Sequence, residues 1–379
     1  MITQNYFDYA AATPMNSEVV DSMLPYFSDD FFNPSSDYLN AKKIAKDIQT
    51  ARQDIASCLG VKPTEIIFTA GGTEANNLAI SGVAEKYSGS TLACSVVEHK
   101  SVIAPTLRYK HKLLEVDKTG VINLSKLKQE ITDDVVLVSL ILANNEIGTI
   151  MPMKETSRII QKIRDSRKSK KNNLPLLLHT DASQAGNYLS LKPYSLGVDM
   201  MTINGGKIYG PKQSGILYVK TGIDIHPLVI GGGQERGLRS GTENVAGIIG
   251  FAKALIMSQN LREQELKRMQ KLHKLFVREL NQNIPNAIIN GSKKRLPNNL
   301  HITVPGIDNE RVMMILDERG YQVAVGSACN ASSEEPSHVL RAIGLSDKDA
   351  RSSLRFTMGR FTSEESIKGL IKNLSEICG

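Results

Sequence analysis

The chain has 379 residues, 41% of them hydrophobic and 22% charged, which is ordinary for a folded protein with a large core. No apolar run approaches the roughly 20 residues of a membrane span, and residues 1–5 carry neither the basic nor the apolar region of a signal peptide, so neither an integral membrane protein nor a secreted one is expected. The formal charge is +7 and there are four cysteines, Cys58, Cys94, Cys329 and Cys378, spaced too widely for a compact zinc motif or a disulfide framework. A reducing cytoplasm is the expected compartment, and no metal site is expected.

In chain order, apolar Ile44, Ile48, Ala51, Ile55 and Leu59 recur at helical spacing over residues 41–59, with Gly60 as the stop. A short buried strand is predicted over 65–69, followed by a helix opening at Gly71-Gly72-Thr73-Glu74. Further strands are predicted over 91–97, 135–142, 174–180, 200–203 and 215–219, with helical stretches between several of them. Unbroken apolar strands separated by helices predict an α/β fold whose mainly parallel sheet is covered on both faces. After Gly250 a long amphipathic helix runs to about Leu280. Beyond it come strand-like 300–304, a helix over 310–319, strand-like 323–325 and 354–357, and a last helix over 363–377, which together predict a second, smaller α/β unit. The division expected is a large domain over 15–255 and a small domain from 1–14 and 256–379. The densest basic run, 164–171, reads either as a patch for RNA or an acidic partner or as the solvated end of a surface helix. No aromatic residues interleave with its charges, which favours the solvated helix end, and no direct nucleic-acid binding is expected.

The most informative residue is Lys207, in Asn204-Gly205-Gly206-Lys207 directly after a strand-like run. Asp181 ends an earlier strand-like run. A lysine and an upstream aspartate at strand ends are what pyridoxal phosphate needs: the amine holds the aldehyde as a Schiff base, and the carboxylate keeps the ring nitrogen protonated. Gly71-Gly72-Thr73, between strand and helix, is a candidate phosphate cradle, although such a turn often needs glycine for geometry alone. His99 can stack on a flat ring or simply sit in a loop. Asn145 and Gln184 can orient a ring hydroxyl or make ordinary turns. All of these groups follow strands, and ligands of open α/β sheets bind at that edge. The loop 231–244, with Arg239, Thr242 and three consecutive glycines, suits a phosphate or subunit contact, or plain mobility. Cys329 lies in the small, polar run Gly326-Ser327-Ala328-Cys329, where a thiol is accessible, whereas Cys58 and Cys94 read as core residues and Cys378 as an unordered terminus. Arg355 offers a bidentate grip on a carboxylate.

Taken together these blocks resemble the cysteine desulfurases, pyridoxal-phosphate enzymes of the class V aminotransferase superfamily with the type I transferase fold. The resemblance runs nearly the whole chain and adds Asp8-Tyr9-Ala10-Ala11, Asn33-Pro34-Ser35-Ser36 and Pro336-Ser337-His338-Val339-Leu340 to the segments above. The Gly-Ser-Ala-Cys run in a long loop (about 326–336) is similar to the family's first group. The Arg-x-Gly-His-His-Cys run of the other group is absent.

The resemblance implies that Lys207 is the Schiff-base and proton-transferring lysine and that Asp181 pairs with the ring nitrogen. It further implies that His99 stacks on the ring, that Gln184 and Asn145 contact its hydroxyl oxygen, and that Gly72, Thr73 and Asn204 lie at the phosphate. Thr242 is implied to reach the phosphate in the other subunit of a homodimer. Arg355 and Asn145 are implied to hold the carboxylate of L-cysteine. Cys329 is implied to take the sulfur as a persulfide, leaving alanine, and to pass it to an acceptor protein of iron–sulfur cluster assembly or tRNA thiolation. Two positions depart from the family, which usually has histidine at 206 and serine at 204, both contacting the phosphate. Asn204 can still donate a hydrogen bond and Gly206 has only its amide, so weaker cofactor retention is expected. A transaminase, a selenocysteine lyase and a non-catalytic sulfur-transfer partner are the alternative readings.

Overall fold

The computed structural model describes residues 5–326 and 335–378. Seven strands form the main sheet: β1 (Ile66–Thr69), β2 (Thr91–Ser95), β3 (His111–Leu114), β4 (Val135–Ser139), β5 (Leu177–Asp181), β6 (Met200–Asn204) and β7 (Gly215–Val219). Their order across the sheet is β1-β7-β6-β5-β4-β2-β3. Strands β3, β2, β4, β5 and β6 are parallel neighbours, while β7 runs antiparallel to both β6 and β1. Strands β1, β2, β4, β5 and β7 are buried at every residue. Ile66 and Phe68 pack in one core with Ile48 and Ile55 of the helix Leu39–Leu59, while Ile67 between them packs in another with Leu78 and Val83 of the helix Gly72–Lys86. That alternation is the two-faced burial that the unbroken apolar strands predict.

A second sheet, β10-β9-β8, is antiparallel and consists of β8 (Ile288–Ile289), β9 (Asn299–Thr303) and β10 (Ser353–Thr357). The helices Asn309–Glu318 and Glu364–Cys378 cover it around a separate core that includes Phe276, Leu300, Phe356 and Leu370. The 39-residue helix Val245–Asn283 joins the two: its first half buries Phe251 and Leu255 against the main sheet, its second half Met269, Phe276 and Leu280 in the small core. The N-terminal segment also crosses over, because Tyr6 bridges to Gln322 and Asp8 to Thr357.

Several predicted bounds shift. Gly60 does close its helix in the left-handed conformation, at φ 69°. The run 323–325 forms no strand, only a bridge between Ala324 and Arg355. Strands β3 and β8 carry no sequence signal, because β3 is a partly exposed edge and β8 has two residues. Cys378 is not a loose end: it closes the last helix and packs against the small core, where burial raises its thiol pKa. Within the basic run, Arg167 is buried and donates to the carbonyls of Pro175, Thr132 and Val135, and Arg164 pairs with Asp199. These two arginines therefore serve packing. No helix among the described residues is long and apolar enough to cross a membrane.

One buried ion pair fixes the loop that carries Thr242. The Arg52 guanidinium meets Glu235 with two bonds of 2.6 and 2.8 Å, lies over the Phe68 ring, and shares Glu235 with the Phe68 amide. Removing one member of such a pair strands the other charge in the interior, at a cost of about 3–5 kcal/mol. Arg52→Met should therefore lower the unfolding free energy by about that amount in urea denaturation. A loss under about 1 kcal/mol would show that the pair is dispensable.

Candidate active site

The parallel strands end at the same sheet edge, and residues at or beyond the ends of five strands converge on one cavity. Its lining includes Gly72, Thr73, His99, Asn145, Asp181, Gln184, Asn204, Lys207 and Arg355. These come from the ends of β1, β2, β4, β5 and β6 and, for Arg355, from the small sheet. Of the residues singled out from the sequence, Thr242 and Arg239 are not brought here. Thr242 is exposed and lines a separate cavity with Arg239, Gln213 and Glu243. Cys329 lies outside the described residues.

Lys207 follows β6 in a tight turn stabilised by Asn204, whose Oδ1 accepts the Gly206 amide at 3.0 Å. Its Nζ donates to the carbonyls of Ala10 (2.8 Å) and Ala11 (2.5 Å). Gln184 Nε2 donates to the same Ala10 carbonyl at 3.0 Å, so the segment 8–12 forms one wall. Asp181 is buried with both oxygens engaged: Oδ1 accepts the Ser183 amide and Oδ2 accepts Asn76 Nδ2 at 2.7 Å. Asn76 also donates to Ser101 Oγ at 2.8 Å, and Ser101 lies 2.7 Å from His99 Nδ1. Its amide donates to that same nitrogen at 3.1 Å. Asp181 and His99 are thereby locked into one network. Nδ1 accepts, so the neutral ring carries its proton on Nε2. Burial lowers the His99 pKa, although the Asp181 charge works against it, and the ring stays neutral near pH 7.

Asn76 and Ser101 were not singled out from the sequence. The available signal was an asparagine four residues after Gly72 and on the same helix face, where it is fully buried. The Asn144-Asn145-Glu146 motif divides. Asn144 is structural, bonding the Val97 carbonyl and the amides of 146 and 147, and Glu146 Oε2 accepts from Ser337 at 2.5 Å. Only Asn145 faces the cavity.

Arg355 is 1% exposed and tied down on two sides: Nη2 to Asp8 Oδ1 at 2.6 Å and Nη1 to the Asn145 carbonyl at 3.1 Å. Each terminal nitrogen keeps a second hydrogen for a carboxylate. At the other end, Gly71 caps the helix Gly72–Lys86 with φ 120°, a conformation for glycine. A Cβ on Gly72 would come within 3.1 Å of Ser183 Oγ and 3.3 Å of Asn204, which keeps that wall bare. The cavity continues past this turn along Thr73, Asn204, Gly206 and Lys212. The arrangement accommodates an anion at a helix N-terminus, a carbonyl carbon at Lys207 and a carboxylate at Arg355.

Residues 5–370 match the family described as Aminotransferase class-V, which makes the chain a member of that enzyme class. The cysteine desulfurase IscS of Dictyoglomus turgidum is 40% identical over 380 residues, 98% of this chain and 94% of its own. A solved NifS-like protein superposes with a TM-score of 0.89 at 33% identity, covering 98% of each chain. The solved structure of SspA in complex with cysteine follows with a TM-score of 0.78 at 32% identity, covering 95% of this chain and 100% of that one. Within its class, the chain belongs to the cysteine desulfurases.

Glu98, beside His99, is wholly buried. Its Oε1 accepts from Ser95 (2.6 Å) and the Ile141 amide (2.7 Å), while Oε2 has no partner among the described residues. Burial first, and the Asp181 charge after it, raise its carboxyl pKa from 4.5 to about 8. The folded state therefore holds a proton that the unfolded state releases, and this contribution to stability is full below 4.5 and lost as pH rises through 8. Over that window the stability of wild type should fall relative to Glu98→Gln, measured as urea unfolding free energy at each pH. A constant difference between the two would contradict a protonated Glu98.

Proposed function

We propose that the protein converts L-cysteine to L-alanine and stores the sulfur as a persulfide on Cys329, with pyridoxal phosphate on Lys207. The observation that carries the reading is a lysine, a buried aspartate, a helix-end cradle and a buried arginine lining one cavity. They fit the cofactor group by group. The bare Gly71-Gly72-Thr73 turn suits its phosphate, Asp181 its ring nitrogen and Lys207 its aldehyde. When bound, the cofactor supplies an electrophilic carbon and a ring that delocalises negative charge.

The protein's own groups do the rest. Arg355 takes the substrate carboxylate with the hydrogens left over from Asp8 and Asn145, which fixes the amino acid's orientation. Asp181, held by Asn76 and the Ser183 amide, keeps a proton on the ring nitrogen. Lys207 Nζ moves the proton at the substrate α-carbon. The Cys329 thiolate attacks the substrate sulfur, a sulfur–sulfur bond forms, and the carbon–sulfur electron pair stays with the carbon fragment, which is protonated to alanine. L-cysteine and one protein thiol thus give L-alanine and one protein persulfide, without an outside oxidant.

Chain length supports the part given to Cys329. Ala324 pairs by backbone with Arg355 at 2.8 and 3.2 Å, and Cys329 is five residues further on, a reach of at most about 17 Å. On the other side, Ser337 bonds Glu146 and His338 bonds the Glu98 carbonyl, both at the cavity rim. The other thiols are poor candidates: burial raises the Cys58 and Cys94 pKa values, that of Cys94 to about 12.

The protein acts as a homodimer in this reading. Supporting it are the exposed apolar side chains Leu24, Phe27, Phe31, Leu39 and Ile230, and an exposed Thr242 free to approach the partner's phosphate. The persulfide passes to an acceptor protein of iron–sulfur assembly or tRNA thiolation, in the cytoplasm.

Purified protein loaded with pyridoxal phosphate and given L-cysteine with a thiol reductant should release alanine and sulfide in equal amounts. Cys329→Ala should lower both by about 100-fold or more, the scale expected for removing a nucleophile. Amino-acid-dependent spectral change without sulfide would point instead to transamination.

A further inference from the structure

The cavity has a cationic residue that the reading above leaves unused. Past the Gly71-Gly72-Thr73 turn its wall is formed by Asn204, Gly206 and Lys212. Gly206 has no side chain, and its amide, expected from the sequence to face the phosphate, already donates to Asn204 Oδ1. Neither part of Gly206 is therefore available to an anion. Lys212 fills the place beside it: a Cβ at 206 would meet Lys212 Cγ at 3.5 Å, so the lysine stem runs along the bare face of the glycine. Two other charged groups line this wall, and both are engaged. Glu74 pairs with Arg239 and accepts the Ala70 amide, while Lys207 donates to the Ala10 and Ala11 carbonyls. Lys212 Nζ has no hydrogen bond or ion pair among the described residues.

We infer that Lys212 binds the phosphate of the cofactor and supplies the charge-assisted contact that Gly206 cannot make. The inference rests on the pyridoxal-phosphate reading. A phosphate at a helix N-terminus carries close to two negative charges, and an ammonium with no competing partner at the same wall is the strongest donor left to it. Because Lys212 is exposed, the contact is open to screening by salt.

The test is equilibrium binding of pyridoxal phosphate and of pyridoxal, which lacks the phosphate, to the full-length protein after cofactor removal. Wild type, Lys212→Met and Lys212→Arg are compared by cofactor absorbance. Lys212→Met should weaken pyridoxal phosphate by about 10-fold or more, as for a lost charge-assisted hydrogen bond. It should leave pyridoxal unchanged, and Lys212→Arg should stay within a few-fold of wild type. Equal weakening of both ligands, or no weakening of either, overturns the inference. Wild-type protein that takes up pyridoxal phosphate with no borohydride-trapped adduct on Lys207 removes the cofactor reading and this inference with it.

Discussion

The site depends on one topological constraint: five neighbouring strands run parallel, so their carboxyl ends meet at a single edge. An antiparallel sheet would send alternate ends to opposite sides. Here β2, β4, β5 and β6 deliver His99, Asn145, Asp181 and Lys207 to the same place, and β1, two strands beyond β6, adds the glycine turn. Burial of both sheet faces fixes the strands, and the strands then fix the side chains. Little local strain is needed at the ends, apart from the left-handed Tyr209 two residues after Lys207.

The small sheet completes the cavity from across the chain. Arg355 and Asp8 are 347 positions apart in sequence and pair at 2.6 Å. Their contact, with the Asn145 carbonyl as third member, ties the N-terminal segment, the small sheet and the large sheet at one guanidinium. An arginine held on two sides is preorganised, so in the proposed reaction a substrate carboxylate would meet a donor already in position instead of ordering one. The same holds for His99 and Asp181, which share the Asn76–Ser101 network.

How much of this was legible in the sequence follows from what each residue depends on. Lys207, Asp181, His99 and Asn145 sit at the junction between an apolar run and a polar loop, and that junction is a local signal. Asn76 is invisible to the same logic, because its role comes from a helix face meeting β5. The pair Arg52–Glu235 joins residues 183 positions apart, which no local pattern encodes. The division of labour inside Asn144-Asn145-Glu146 needed coordinates too, since all three are chemically suited to either task. The amide of Gly206 reads as available until Asn204 is seen to occupy it. Bounds moved most where strands are short or at an edge, as at β3 and β8, because pairing rather than composition defines them there.

The central claim is that sulfur leaves the substrate for Cys329. It is tested most directly by a single turnover of the cofactor-loaded protein with L-cysteine, without reductant, followed by peptide mass analysis. The account predicts one alanine per active site and one added sulfur on the peptide containing Cys329, with the peptides of Cys58, Cys94 and Cys378 unchanged. Alanine formed with no sulfur on Cys329, or sulfur distributed over the other cysteines, would contradict it.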